Sequence, residues 1–184
     1  PVWSPTGGLL GHVGAGNRKD IRNAVEAAEK AKGWSTTTAH LRAQILYFLA
    51  ENLSVRADEF TRRLGAMGVP EPGREVDASI SRLFTYGAWA DKNDGAAKPV
   101  PMRAVALALN EPVGIIAALC SSEAPLLGLI SAMAPAIAMG NRVVLVPSAA
   151  FPLVATDFYQ ILDTSDVPPG VVNILTGDPQ TLGD

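Results

Sequence analysis

The sequence predicts an α/β protein in which N-terminal helices precede a doubly wound, mostly parallel half-sheet. In the first half of the chain, apolar residues recur at helical spacing between capping residues. In the second half the period changes to short, continuous apolar runs of strand length. Those runs alternate with helix-length segments as strand-helix-strand-helix-strand, an order that favours parallel strands joined by right-handed crossovers.

Taken along the chain, Asn17 is placed to cap a helix with Asp20 three positions on, where a carboxylate suits the free N–H groups and the dipole. Ile21, Ala24, Val25 and Ala28 form the apolar stripe of that helix, and Gly33-Trp34 ends it. Thr38 caps a second helix whose face is Leu41, Ile45, Phe48, Leu49 and Leu53. A third helix, Ala57 to Met67, shows Phe60 and Leu64 and stops at Gly68. After the break at Glu71-Pro72-Gly73, a long helix carries Val76, Ile80, Leu83 and Phe84 on one side and runs towards Trp89 and Lys92. Asn93-Asp94-Gly95 marks a turn, and Val100 to Leu109 alternates as a strand does. Gly114 to Cys120 reads as a strand covered on both faces. Pro125 to Met139 is a helix ended by Gly140, and Val143 to Val146 is a second buried strand. Pro152 to Leu162 is a further helix, Pro168-Pro169-Gly170 a turn, and Val171 to Leu175 a third strand. The expected organisation is a helical portion, residues 1–93, and the first half of a Rossmann-like, dinucleotide-binding-like βαβαβ sheet, residues 94–184.

Composition bounds the function. With 184 residues the chain can bury a sizeable core, and 48% hydrophobic with 18% charged residues suits a globular protein. Fifteen Lys and Arg against eighteen Asp and Glu give a net charge of −3, without global attraction for nucleic acid or anionic lipid. The uncharged stretch from Ala124 to Asn141 contains Pro125, Gly128, Ser131, Pro135 and Gly140, and reads as a buried helix rather than a membrane span. Cys120 is the single cysteine, which excludes an internal disulfide, and with only His12 and His40 no zinc spacing exists, so no metal site is expected. Inside its apolar run, the Cys120 thiol reads as inert core. Pro1-Val2-Trp3 opens without a secretory signal or an initiator Met, so the expectation is excision from something longer and a cytoplasmic location.

Phosphate-binding glycine loops are absent in their usual form. Gly14-x-Gly16 has Lys19 where a third glycine belongs, and reads as a turn leading into a cap. Two histidines without a nucleophile elbow leave no Ser-His-Asp set to nominate.

Four stretches do carry a resemblance over nearly the whole chain. They are Asp20-Ile21-Arg22-Asn23-Ala24-Val25-Glu26-Ala27-Ala28 through Trp34 to Leu41-Arg42-Ala43-Gln44-Ile45-Leu46; Tyr86-Gly87-Ala88-Trp89-Ala90-Asp91-Lys92; Glu111-Pro112-Val113-Gly114 with the strand after it; and Ala134 to Leu145, continued by Pro168-Pro169-Gly170-Val171-Val172-Asn173-Ile174. In this order and spacing they resemble the N-terminal part of an aldehyde dehydrogenase module. The resemblance implies a partial aldehyde dehydrogenase-like fold. It also implies a parent protein that oxidises aldehydes to carboxylic acids with NAD or NADP, through a cysteine thiohemiacetal.

The resemblance also implies where the functional residues fall. The family's Pro-Trp-Asn-aromatic-Pro is here Ser121-Ser122-Glu123-Ala124-Pro125, which puts Glu123 at the position of the oxyanion-donating Asn. Such a donor is worth about 2.7–4 kcal/mol; an ionised Glu123 has none to give, and the plainer reading is that it caps the following helix. The family's ribose-holding Lys-Pro-x-Glu is here Val146-Pro147-Ser148-Ala149, in which Val146 and Ala149 cannot make those bonds and Ser148 is the remaining polar side chain. The nucleophilic Cys and the general-base Glu of the family would lie beyond Asp184, and Cys120 does not align with that nucleophile. No catalytic residue is therefore expected in this chain, and no cofactor bound by the chain alone.

This pattern of loss looks most like the second, degenerate module of aldehyde dehydrogenase family 16. The implied role is structural, in assembly with the remainder of its own polypeptide or a catalytic aldehyde dehydrogenase module, within a homo-oligomer. The alternative is the front half of an active NAD(P)-dependent aldehyde dehydrogenase. In either case the half-sheet should leave an unpaired edge that recruits a partner.

Overall fold

The structure, a computed structural model, describes residues 1–93 and 95–182, so Asp94 of the expected turn and boundary, together with Gly183 and Asp184, lies outside the described residues. The chain opens with a small antiparallel ribbon, β1 (Val2–Trp3) with β2 (Leu9–Gly11). Helix α1 (Arg18–Lys30) follows, and its start is as expected: Asn17 Oδ1 accepts from Lys19 N at 2.8 Å while Asn17 N donates to Asp20 Oδ2 at 2.9 Å. A 3-10 helix, Lys32–Thr36, buries Trp34 before α2 (Ala39–Val55), where Thr38 Oγ1 accepts from Leu41 N at 3.2 Å. Helices α3 (Ala57–Ala66) and α4 (Pro72–Ala90) complete the first half.

A hairpin, β3 (Gly95–Lys98) with β4 (Ala106–Leu109), then projects from the body. Val100 to Leu109 is thus not one strand. Its last four residues pair, the stretch around Met102 bends, and its alternating apolar side chains face outward because nothing lies against the ribbon among the described residues.

The remainder alternates as expected: β5 (Ile115–Leu119), α5 (Pro125–Ala138), β6 (Arg142–Val146), α6 (Pro152–Asp163) and β7 (Val172–Ile174), with a short α7 (Pro179–Leu182) at the end. All three strands are parallel in the order β5-β6-β7. Because that order advances one way, right-handed crossovers put α5 and α6 on one face of the sheet, and α1 packs on the other. The arrangement is half of a doubly wound sheet.

Strand β6 is buried along its whole length, as its apolar run predicts. Strand β5 departs from expectation. It pairs with β6 alone among the described residues, and Ala117 and Leu119 remain exposed, Leu119 to 69%. Covering both faces of an edge strand needs neighbours on each side, and β5 has one.

One apolar cluster runs from the helices into the sheet: Leu46, Leu49, Leu53, Phe60 and Leu83 meet Leu129, Ile130, Met133, Val143, Leu145 and Phe158. Four side chains counted on helix faces by spacing, Val25, Leu41, Phe48 and Phe84, stay about 40% exposed at the margins of that cluster. Two glycines are required, one by its backbone conformation and one by the close approach of elements as well. Gly140 takes φ +81° just after the last turn of α5. At Gly170, with φ +83°, a Cβ would stand 2.4 Å from the carbonyl oxygen of Ala27, so only glycine lets the turn before β7 lie against α1.

Candidate functional site

The candidate site lies where open parallel sheets place their ligands, beyond the carboxyl ends of adjacent strands. Here β5 and β6 stay together through Cys120 N, which donates to Val146 O at 2.9 Å. They then diverge into the Ser121–Ala124 loop and the Pro147–Phe151 loop. Ser121 Oγ accepts from Glu123 N at 3.1 Å and tightens the first loop. Between the loops, Ser122 Oγ and Ser148 Oγ share a hydrogen bond of 2.8 Å, and Ser148 Oγ accepts from Ala150 N at 3.2 Å.

Those bonds decide what Val146-Pro147-Ser148-Ala149 can offer. Ser148 is buried and its hydroxyl makes two hydrogen bonds within the protein. Pro147 has no N–H, and Ala149 is exposed without a polar side-chain atom. Val146 faces an apolar cavity of about 230 Å³, lined by Ile21, Ala117, Leu119, Val144 and Leu182 among others. Val146 and Ala149 therefore do not supply the pair of side chains that would hold the ribose hydroxyls of a dinucleotide, and Ser148 is the one polar side chain among the four.

Glu123 lies on the surface of the same region and lines a groove of about 330 Å³ with Glu71, Arg74 and Glu75. It does not cap α5. The helix begins after Ala124 without a cap from its own loop. The acceptor comes instead from α4: Glu75 Oε1 takes the N–H groups of Leu126 at 2.7 Å and Leu127 at 3.1 Å. Glu75 is 8% exposed, so this carboxylate replaces its lost water with two donors and the positive end of a helix dipole.

The far end of α5 is held just as firmly. Trp34 Nε1 donates to Ile137 O at 3.0 Å, and Arg42 Nε donates to Ala138 O at 2.8 Å. An anion thus sits at the N-terminus of α5 and a cation at its C-terminus, the signs its dipole favours. Sequence reasoning missed Glu75, although a signal exists: Glu75, Ser79 and Leu83 fall at i, i+4 and i+8 on the buried side of α4, where a carboxylate needs a partner.

Cys120 is half-buried, and burial alone pushes its thiol up to about 11. At neutral pH it is not a thiolate, so the inert reading holds. The Gly14-x-Gly16 segment leads into the α1 cap as expected, but as irregular chain rather than a turn. It is tied to the chain after β7 by Gly16 N donating to Thr176 O at 2.7 Å and Thr176 Oγ1 donating to Gly14 O at 2.7 Å. Among the described residues no group of three His, Cys, Asp or Glu could hold a metal, and no helix is long and apolar enough to cross a membrane.

Comparison with known proteins agrees with the fold. The model of the aldehyde dehydrogenase family matches residues 1–184. Phenylacetaldehyde dehydrogenase of Pseudomonas fluorescens is 33% identical over 197 residues, covering 100% of this chain and 39% of its own length. Among solved structures, PnpE from Pseudomonas sp. WBC-3, in complex with nicotinamide adenine dinucleotide, superposes with a TM-score of 0.93 at 29% identity, covering 99% of this chain and 39% of its own. Glyceraldehyde-3-phosphate dehydrogenase GapN from Methanocaldococcus jannaschii, complexed with NADP, gives 0.91 at 29% identity, covering 99% and 42%. The chain spans about two-fifths of the length of these relatives. With a full-length family match and the family's parallel half-sheet in place, the chain belongs to the aldehyde dehydrogenase family.

Proposed function

We propose that this chain is a non-catalytic, structural module of an aldehyde dehydrogenase-like protein. In that reading the whole protein performs NAD(P)-dependent oxidation of aldehydes to carboxylic acids, and the module helps assemble a cytoplasmic homo-oligomer, as the second module of family 16 would. The observation that carries the proposal is that Val146 and Ala149 present no polar side chain where the ribose contacts of the family fall. Ser148, between them, is buried and already hydrogen-bonded to Ser122 and Ala150. Glu123 adds to it, since an exposed carboxylate where the family places an amide donor repels a developing oxyanion.

Calorimetric titration of NAD⁺ and NADP⁺ into the full polypeptide, with and without the pair Val146→Lys and Ala149→Glu, tests the cofactor half. The pair restores a cation, which can extend its amine from the strand end to solvent, and a carboxylate at an exposed site. The expected result is one more equivalent of cofactor bound per chain in the double variant than in the parent. Glu123→Asn tests the catalytic half: aldehyde oxidation by the full polypeptide should be unchanged. A change in kcat of tenfold or more would show that this module reacts, and the chain would be the front half of an active dehydrogenase.

A further inference from the structure

Among the described residues the sheet has a second open edge, on β7, the neighbour of β6. In β7, Val143 N donates to Val171 O and Leu175 N donates to Leu145 O, each at 2.9 Å. The alternation of a parallel ladder then turns the N–H and C=O groups of Val172 and Ile174 away from β6. They point into a groove of about 470 Å³ that runs between α1 and α6, with Ala24 and Ala27 on one wall and Tyr159 and Asp163 on the other. A strand edge at the floor of a cleft is a template for one more strand.

Two features indicate what such a strand carries. Both charged side chains lining the groove, Asp20 and Asp163, are acidic. Asp163 is also the last residue of α6, where a carboxylate opposes the helix dipole and costs stability. Tyr159 is 62% exposed and lines both this groove and its neighbour of about 390 Å³, presenting a ring on which an apolar stem or a cation can lie.

We propose that the β7 edge binds an extended, basic segment of a separate polypeptide as a fourth strand. Backbone groups of Val172 and Ile174 set its register, and Asp163 with Tyr159 takes its cationic side chains. This holds whether or not the module binds a cofactor.

The test uses the full polypeptide and a capped pentapeptide of alternating lysine and valine. At saturation, amide exchange at Val172 and Ile174 should slow at least tenfold. A peptide with glutamate for lysine should bind at least tenfold more weakly, and one N-methylated at alternate amides should not bind. Asp163→Lys should weaken the lysine peptide at least fivefold without lowering the melting temperature, which separates recognition from folding. Unchanged exchange, equal binding of the N-methylated peptide, or a β7 edge already protected before peptide is added would each overturn the proposal.

Discussion

Removing the carboxylate of Glu75 should loosen the start of α5 more than any change in the loop that leads into it. Glu75→Ala deletes the acceptor for Leu126 N and Leu127 N, at 2.7 and 3.1 Å, and no side chain of the Ser121–Ala124 loop replaces it. A hydrogen bond to a charged group is worth about 1.5–3 kcal/mol, and losing an N-cap costs about 0.5–2 kcal/mol. The two donors share one oxygen and the groove beside Glu123 admits water to one of them, so the sum is less than two full bonds. We expect a loss of about 2–4 kcal/mol, read by urea unfolding as a lower midpoint at unchanged slope. For a domain of this size that corresponds to a fall in Tm of about 4–16 °C. Glu75→Gln keeps one oxygen but not the charge, and should cost about half as much. Glu123→Ala, on the exposed loop, should stay within about 0.5 kcal/mol of the parent. If Glu75→Ala also stays within that margin, the carboxylate is not what holds α5.

Cys120 should resist alkylation. With its thiol raised from 9.0 to about 11, the thiolate fraction at pH 7.5 is about 100-fold below that of an unperturbed cysteine, so iodoacetamide labelling should be slower by a similar factor and rise tenfold per pH unit up to about 10. The same shift makes a linkage prediction. The buried thiol is neutral in the folded state, so its contribution is complete below its ordinary value of 9.0 and is lost as pH rises towards about 11. Gly170→Ala should cost about 2–4 kcal/mol, because φ +83° strains any side chain and the Ala27 carbonyl stands in the way; a Tm within 2 °C of the parent would refute it. Arg42→Ala should cost about 2 kcal/mol by freeing Ala138 O and Thr37 O, whereas Arg42→Lys, lacking the fork, should recover less than half of that in the same unfolding assay.

What the sequence shows plainly is local. Asn17 with Asp20 and Thr38 ahead of Leu41 are caps whose donor and acceptor lie within three residues, so spacing alone finds them. The buried run Val143 to Val146 and the helices around it are equally legible, since continuous burial leaves continuous apolarity. Pairings across long separations are not. Gly95–Lys98 reads as no strand, because Gly-Ala-Ala-Lys lacks β-branched residues and is paired only through Ala106–Leu109. Val2–Trp3 and Leu9–Gly11 are too short to show a period. At the candidate site, spacing points to Glu123 as the cap of α5, when the acceptor lies 51 residues upstream on another helix. Resemblance places Ser148 at the site, but its hydrogen bonds to Ser122 and Ala150 emerge only once the two loops are folded side by side.

The three side chains that hold the ends of α5 all precede it in the chain: Trp34, Arg42 and Glu75. Synthesis runs from the N-terminus, so each exists before α5 leaves the ribosome. At about 5–20 residues per second, Ala138 is added about 3–13 s after Glu75, far longer than a helix needs to form. The broadly apolar α5 therefore emerges beside helices already able to receive both of its termini, and the order of translation shortens the time its surface spends uncovered.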